Sequence, residues 1–317
     1  MTNKVICLNE NYSTTRLLTK EKPTMGNKPE DKFTKESKAF ESVLFLPDGE
    51  GRKGEGGIRT QGYFKKSYDD KPLISIITVV YNGEEFLEET ILSVINQSYD
   101  SVEYIIIDGG SSDGTLDIIK KYEDKIDYWI SEPDQGIYDA MNKGIALSQG
   151  KLIGLINADD YYENNIFTVV VKEFLETEAD VLYGDLNIVD DDSVYTVDAH
   201  SIGKKYGFSP YSMYWIWVKM LFGHPASFVS RAAYKKYGLY DTSFKISADY
   251  ELFLRFVRGK AKFSYIPIRL AYFRKGGIST SGEEEVNKED FLVRAKHNKF
   301  NAYAIAVILR LLKWIKK

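Results

Sequence analysis

The sequence predicts an α/β domain built on a mostly parallel sheet flanked by helices, and three stretches predict it. PLISIITVV, Pro72 to Val80, is a β-branched run; YNGEEF breaks it, and Leu87 to Ile95 then carries apolar residues at helical spacing. The order recurs at once, with VEYIIID as strand, GGSSDGT as loop and Leu116 to Tyr122 as helix. Two consecutive βα units imply parallel neighbours, since each helix carries the chain back to the edge where it started. The third stretch is KLIGLINADDYY, Lys151 to Tyr162. There the apolar run Leu152 to Ile156 reads as a short buried strand that ends abruptly in Asn157, Asp159 and Asp160.

Residues 1–70 precede this pattern and differ from it. They mix Lys and Glu up to Lys38 and then turn glycine-rich in DGEGRKGEGGIRTQG, so they read as an arm, partly extended or mobile. Val43 to Leu46, Tyr63 and Phe64 are apolar enough to dock on the body. The glycines around Lys53 lack both a preceding strand and a GK[ST] sequence, which argues against a phosphate loop. Residues 71–275 form the main domain and 276–317 a C-terminal helical extension. Within the domain, Tyr128 to Ile130 reads as strand. SEPDQGIYDAMNKGIALSQG is a loop entering a helix stopped near Gly150, Ile166 to Glu176 is helix, and VLYGDLNIV is strand.

Composition sets bounds. With 317 residues, 44% hydrophobic and 14% aromatic, the chain buries a sizeable core. A net charge of −4 argues against broad nucleic-acid binding. Cys7 is the only cysteine, which rules out an intrachain disulfide and a thiolate zinc cluster and fits a reducing, cytoplasmic setting. The opening MTNKVICLNE has no apolar stretch of signal-peptide length, and no uninterrupted apolar run reaches transmembrane length.

The loops after the strands are chemically coherent. Tyr81 can stack on a nucleobase or simply pack; Asp108 can accept from a base or ribose donor, or cap its loop. Asp159 and Asp160 can hold a hard divalent cation that leaves positions open for phosphate oxygens, or can cap the next helix near Glu163. At successive strand ends of a βα sheet, these groups together favour a nucleotide site.

SIITVVYNGEEFLEETILSVINQ, IIIDGGSSDGT, SEPDQGIYDAMNKGI and LINADD resemble glycosyltransferase family 2, bacterial surface-polysaccharide type, over Pro72 to Arg274. The resemblance implies the GT-A fold, a nucleotide-binding Rossmann-like half joined to an acceptor half, and inverting transfer. It also implies that Tyr81 stacks the donor base and Asp108 contacts the nucleoside. Asn157-Ala158-Asp159 occupies the family's DxD position, with Asp159 as ligand for Mn2+ or Mg2+ and Asp160 beside it. Two departures stand out. Gly109 replaces a second acid that commonly contacts uracil, and Asn157 replaces the first Asp of DxD, giving a neutral ligand. UDP is the leading donor nucleotide.

Asp134 and Asp139 can meet ribose or sugar hydroxyls, and Asn142 and Lys143 can approach the phosphates; the other reading is a capped amphipathic helix with solvated charges. Tyr211, Tyr214, Trp215, Trp217 and Phe222 form an acceptor lid, a lipid-facing edge or a second small core. His224 is a diphosphate contact, a metal ligand or a buried hydrogen-bonded histidine. In KISADYELFLRF, Asp249 lies in the first turn of an amphipathic helix, and the resemblance makes it the general base, with Ala248 where the family often has Glu.

The tail NAYAIAVILRLLKWIKK is an apolar helix with a basic end, suited to the cytoplasmic face of an anionic inner membrane or to packing on protein. The resemblance implies a nucleotide sugar as donor and a glycan acceptor on a lipid diphosphate, with no nucleic-acid partner. The oligomeric state is open. Three rivals remain: a catalytically inactive module binding nucleotide sugar or lipid, a sugar nucleotidyltransferase, and a dinucleotide oxidoreductase. The second would need a basic glycine-rich loop where YNGEEF stands, and the third GxGxxG there.

Overall fold

The computed structural model describes residues 5–23, 42–190, 193–197, 216–217, 220, 222–276 and 282–315. Tyr211, Tyr214 and Trp215 of the aromatic cluster lie outside the described residues. The arm supplies β1 (Leu18–Thr19), β2 (Gly54–Gly56) and β3 (Phe64–Lys65). Strands and helices then alternate as β4 (Ile74–Val80), α1 (Leu87–Ile95), β5 (Val102–Asp108), α2 (Thr115–Lys121), β6 (Tyr128–Ser131), α3 (Ile137–Leu147) and β7 (Leu152–Asn157). There follow β8 (Tyr161–Tyr162), α4 (Ile166–Thr177), β9 (Val181–Asp190), β10 (Ser193–Val197), β11 (Ser227–Ser230), α5 (Arg231–Tyr237) and α6 (Ala248–Arg258). β12 (Phe263–Arg274), α7 (Glu283–His297) and α8 (Lys299–Ile315) close the chain.

Among the described residues the main sheet has ten strands, in the order β2-β6-β5-β4-β7-β11-β9-β12-β8, with β10 paired to β9. β6, β5, β4 and β7 run parallel, whereas β11 lies antiparallel between β7 and β9. Every residue of β4 and β5 is buried, which is why these strands are written as unbroken apolar runs rather than alternating ones. Successive side chains still point to opposite faces. Ile77, Val79, Ile105 and Ile107 join Met141 and Ile145 of α3 and Phe253 and Phe256 of α6 on one side. Ile74, Ile76 and Ile106 join Leu87, Ile91 and Val94 of α1 and Phe167 and Val170 of α4 on the other. α3 lies so close to β4 that a Cβ on Gly144 would stand 2.4 Å from Ile77 Cγ2. The described members of the aromatic cluster also sit in or against this core. Phe222 stacks on Tyr183 at 4.5 Å, and the Trp217 carbonyl accepts from Tyr250 Oη at 3.2 Å.

The acidic turn after β7 leads into a short strand rather than into a helix. β8 pairs antiparallel with β12, and α4 starts only at Ile166, after Asn165 in the left-handed region at φ 59° and with no side-chain cap. Asp159 and Asp160 are therefore not its capping residues.

The glycine-rich part of the arm is built into the fold. β2 pairs with β6 and forms one edge of the sheet, and Leu44 and Phe64 are buried. Three residues past β2, Arg59 forms an ion pair with Glu103 at 2.6 Å, both side chains 2% exposed. Arg59 Nη1 also donates to the carbonyls of Leu44 and Leu147 at 2.8 and 3.2 Å. Glu103 accepts from Ser75 Oγ at 2.5 Å and from the Gln149 amide at 2.8 Å. One buried carboxylate thus ties together the arm, β4, β5 and the end of α3.

At the other end, Glu251 of α6 is fully buried. It takes Arg255 at 2.9 Å, Lys296 at 2.9 Å and His297 at 3.1 Å, the last two from the end of α7. Burial alone would raise its pKa, but the hydrogen bonds from His297 and Arg255 prevail and hold it at about 2. On α8, Phe300, Tyr303 and Val307 are 81%, 63% and 56% exposed and share one face. No helix among the described residues is long and apolar enough to cross a membrane.

Replacing Arg59 leaves Glu103 buried without its cation, so Arg59→Met is expected to lower unfolding free energy by ~3–5 kcal/mol, measured by denaturant titration. The same measurement on Lys151→Met, which breaks the exposed pair with Asp69, should show a far smaller change, because solvent screens that pair.

Candidate active site

Register brings the predicted residues to one edge. Val80 pairs with Asp108, Val79 with Asn157, and Asp108 with Ser131. Tyr81, Asp108, Asn157 and the turn from Ser131 to Asp134 therefore stand side by side at the carboxyl ends of four parallel strands. Strand order reverses around β4, between β5 and β7, which is where open α/β sheets form a ligand crevice.

Tyr81 is 68% exposed, with its ring available for stacking. Asp108, by contrast, is fully buried. Its Oδ2 accepts from the Ser111 amide at 3.1 Å and from Ser131 Oγ at 2.5 Å, and Oδ1 accepts from Ser111 Oγ. Ser111 Oγ in turn accepts from the Asn82 amide at 2.7 Å. Asp108 thus shapes the loops after β4, β5 and β6. Asp134 is half-buried above this loop, and its Oδ1 accepts from the Gly136 amide at 2.8 Å.

The acidic turn divides its labour. Asp160 is fully buried, with Oδ1 accepting from the Arg274 amide at 3.0 Å and Oδ2 from Asn157 Nδ2 at 3.3 Å. Burial, then the charge of Asp159, pushes its pKa well above the ordinary range. Asp159 is also raised, by burial, with Arg274 opposing. Asn157 Oδ1 is buried and has no hydrogen-bond partner. An orphaned amide oxygen two residues from a carboxylate fits a hard cation that takes one or two protein oxygens and fills its remaining positions with water and diphosphate. A protein cage of three or more His, Cys, Asp or Glu ligands is absent among the described residues.

Arg274, at the end of β12, adds positive charge that no local sequence signal announces. Its Nη1 donates to the Asp159 carbonyl at 2.6 Å, and it pairs with Glu89. The guanidinium lies over the rings of Phe86 and Tyr161 at 4.6 and 4.9 Å. Lys53 is a second unannounced group, donating to the carbonyls of Gly110 and Ser111 at 2.9 Å each.

α3 carries two of the expected phosphate contacts, and both side chains are engaged elsewhere. Asn142 donates to the Tyr240 carbonyl and accepts from the Tyr240 amide, each at 3.0 Å. Lys143 lies 3.2 Å from Glu132 and 3.5 Å from Asp139. The first turn of α3 also reaches the loop before α6, where Tyr138 Oη donates to the Ile246 carbonyl at 2.5 Å.

Asp249 sits at the start of α6, half-buried, with Oδ1 accepting from the Tyr250 amide at 2.7 Å. Burial, with smaller contributions from Asp290 and Glu289 of α7, raises its pKa to about 6. Glu289 holds the preceding loop by accepting from the amides of Lys245, Ile246 and Ser247 at 2.9, 2.8 and 2.9 Å. Lying some 40 residues downstream, it gave the sequence no reason to be paired with this loop.

His224 Nε2 is hydrogen-bonded to Tyr240 Oη at 2.8 Å, and burial pulls its pKa down to about 4. The folded chain therefore holds a neutral imidazole where the unfolded chain binds a proton below about 6.5. The stability that His224 contributes is fully present above that value and is lost as pH falls toward about 4. The difference in unfolding midpoint between wild type and His224→Asn is expected to shrink between pH 7 and pH 4, as followed by denaturant melts.

The model of Glycosyl transferase family 2 matches residues 75–238, over half of the 317-residue chain. An uncharacterised glycosyltransferase of Mycobacterium tuberculosis is 34% identical over 189 residues, covering 58% of this chain and 68% of its own. TuaG of Bacillus subtilis, provisionally named a teichuronic acid biosynthesis glycosyltransferase, is 39% identical over 99 residues, 30% of this chain and 39% of that protein. Among solved structures, S. aureus TarS 1-349 in complex with UDP-GlcNAc matches with TM-score 0.55 at 19% identity, covering 70% of this chain and 64% of that one. The chain thus spans less than two thirds of TuaG and of that TarS structure, and the TarS likeness shows the shared GT-A-type fold. With the strand-end site, the family match and the fold in agreement, the chain belongs to glycosyl transferase family 2.

Proposed function

We propose that the protein is an inverting glycosyltransferase that moves a hexose or N-acetylhexosamine from a UDP-linked donor to a glycan acceptor carried on a lipid diphosphate. The observation that carries this reading is the convergence of Tyr81, Asp134, Asn157 and Asp159 at adjacent parallel strand ends, with a carboxylate of raised pKa, Asp249, at the start of α6, just after the loop that Tyr138 ties to α3. The UDP-GlcNAc complex of TarS and the teichuronic acid name of TuaG support the donor class and a role in surface polysaccharide synthesis.

The uracil ring stacks on Tyr81, and the diphosphate runs toward Asn157, Asp159 and Arg274. Asn157 and Asp159 would hold a divalent Mn2+ or Mg2+, which when bound would supply positive charge at the leaving diphosphate. Arg274 adds a fixed guanidinium beside the same turn. Asp249 accepts the proton of the acceptor hydroxyl as that oxygen attacks the anomeric carbon opposite the leaving group. The configuration inverts, and no covalent glycosyl-enzyme forms. A base of pKa about 6 is ionised at neutral pH yet more basic than an ordinary Asp. Asn142, Lys143 and His224 act through their partners, fixing Tyr240 and the turn after β6 rather than touching phosphate. The exposed face of Phe300, Tyr303 and Val307 supports contact of α8 with the cytoplasmic surface of an anionic membrane, where a lipid-linked acceptor lies.

Asp249→Asn is expected to lower turnover by ~100-fold to 10,000-fold with donor affinity retained, and Asp159→Ala to lose Mn2+-dependent affinity for UDP in calorimetry. Equal behaviour of both variants and wild type would overturn these roles. The raised pKa leaves Asp249 protonated at low pH, so log(kcat/KM) should fall with unit slope as pH drops below about 6 and level off above it.

A further inference from the structure

α6 begins without a cap of its own. Its N-cap residue, Ser247, makes no side-chain hydrogen bond to the free amides of the helix, so a partner from outside must serve them. Glu289 of α7 is such a partner for the turn that leads in. Its Oε1 accepts from the Lys245 amide at 2.9 Å, and its Oε2 from the amides of Ile246 and Ser247 at 2.8 and 2.9 Å. Three successive backbone donors thus form a nest around one carboxylate. The same segment is gripped from the opposite side, where the Ile246 carbonyl accepts from Tyr138 Oη of α3 at 2.5 Å. Ser247 Oγ turns to Asp290 Oδ1 at 2.9 Å. Asp249, the second residue of α6, stands two positions beyond this hold.

α7 turns one face to α6. Glu289, Val293 and His297 follow at intervals of four, with Asp290 and Arg294 beside them. Val293 is fully buried, Arg294 lies over the Tyr250 ring at 5.9 Å, and His297 reaches Glu251 at 3.1 Å. These contacts seat the helix without Glu289 or Asp290, so the two acids can be altered while α7 stays docked. The groups that face Asp249 come from three elements. From α7 they are Glu289 and Asp290; from α3, Tyr138; and from the loop between α5 and α6, Tyr240. Burial keeps both phenols neutral, their pKa values raised well above the ordinary one. Burial is also the main cause of the raised pKa of Asp249; the Tyr250 amide opposes it, and Asp290 and then Glu289 add to it.

We propose that Glu289 and Asp290 are positioning residues for Asp249: Glu289, with Tyr138 opposite, fixes the turn from which Asp249 is presented, and Asp290 stands beside it as a like charge. This rests on the reading of Asp249 as general base, and it extends the machinery to a helix beyond the matched residues 75–238. A base works only within hydrogen-bond reach of the hydroxyl it serves, and a misplacement of about 1 Å can cost ~100-fold in rate. A negative neighbour favours the protonated form of a carboxylate, which makes its ionised form the stronger proton acceptor. One helix thus governs both where the base stands and how strongly it pulls.

Carbon-13 NMR of the full chain, labelled at the aspartate carboxyls, tests the role of Asp290 without any substrate; the Asp249 signal is the one lost in Asp249→Asn. In Asp290→Asn, which keeps an oxygen for Ser247, the Asp249 carboxyl is expected to titrate lower than in wild type by roughly 0.5–1 pH unit, because removing a like charge favours the ionised form. UDP release from UDP-GlcNAc, with water as acceptor, tests the role of Glu289. Glu289→Ala should lower kcat by ~10-fold to 100-fold with KM for the donor unchanged, since the donor loops lie at the ends of β4 to β7. Leu292→Ser, at a position 49% exposed on the same helix, should alter neither readout. An Asp249 titration that is the same in Asp290→Asn and wild type overturns the proposal. So does a Glu289→Ala variant that keeps its kcat, or one whose KM rises along with the loss, as a general loosening of the fold would cause. An Asp249→Asn variant that releases UDP at the wild-type rate overturns the base reading instead. Wild type that releases no UDP overturns the donor reading, and the carboxyl titration then decides the proposal alone.

Discussion

The pairing of Val80 with Asp108 and of Val79 with Asn157 fixes where Tyr81, Asp108 and Asn157 stand. β4 is hydrogen-bonded on both sides, so a slip of one residue along either neighbour would turn its apolar side chains to the wrong face and break both packed cores at once. The loops inherit that precision: Tyr81, Asp108 and Asn157 leave the sheet from aligned last residues, and Ser111, Asn82 and Ser131 lock the exits together. A site made from four separate segments needs little further order once the strands are aligned.

Environment, more than residue type, separates the carboxylates. Glu103 and Glu251 are buried with cations and serve the fold. Asp108 is buried with hydroxyls and amides and serves loop shape, while Asp160 is buried against the Arg274 backbone and stiffens the turn. Asp159 and Asp134 are only half-buried. Asp249 lies in between, half-buried, with burial raising its pKa to about 6.

The parallel half was legible because its strands are covered on both faces and therefore spell themselves as β-branched runs between breakers. The helices α1, α3 and α4 followed from apolar spacing, and the loop chemistry from what stood immediately after each strand. The arm resisted the same reasoning. Arg59 and Glu103, 44 positions apart, look like ordinary surface charges until the chain between them folds, and a three-residue strand such as β2 has no periodicity to detect. Arg274 escaped notice for a related reason: it reaches Asp159 across 115 residues, and its neighbours in sequence say nothing of the turn it supports. Asn142 and Lys143 stood where phosphate contacts belong, but their partners, Tyr240 and Glu132, are set by packing rather than by position along the helix.

The grip of α7 on α6 has a mechanical meaning. Lys296 and His297 close on Glu251, while Glu289 closes on the loop that leads into Asp249, so the middle and the end of one helix are clamped to the first turn of another and the loop before it. α8 continues from α7 after a single residue. A chain cut before Glu283 would keep all the strands of the sheet and the loops after β4 to β7, yet it would strand a buried anion with Arg255 as its remaining cation and release the loop that leads into Asp249. The folded unit therefore does not end where the sheet ends, because a helix beyond the last strand holds a buried charge and a loop in place.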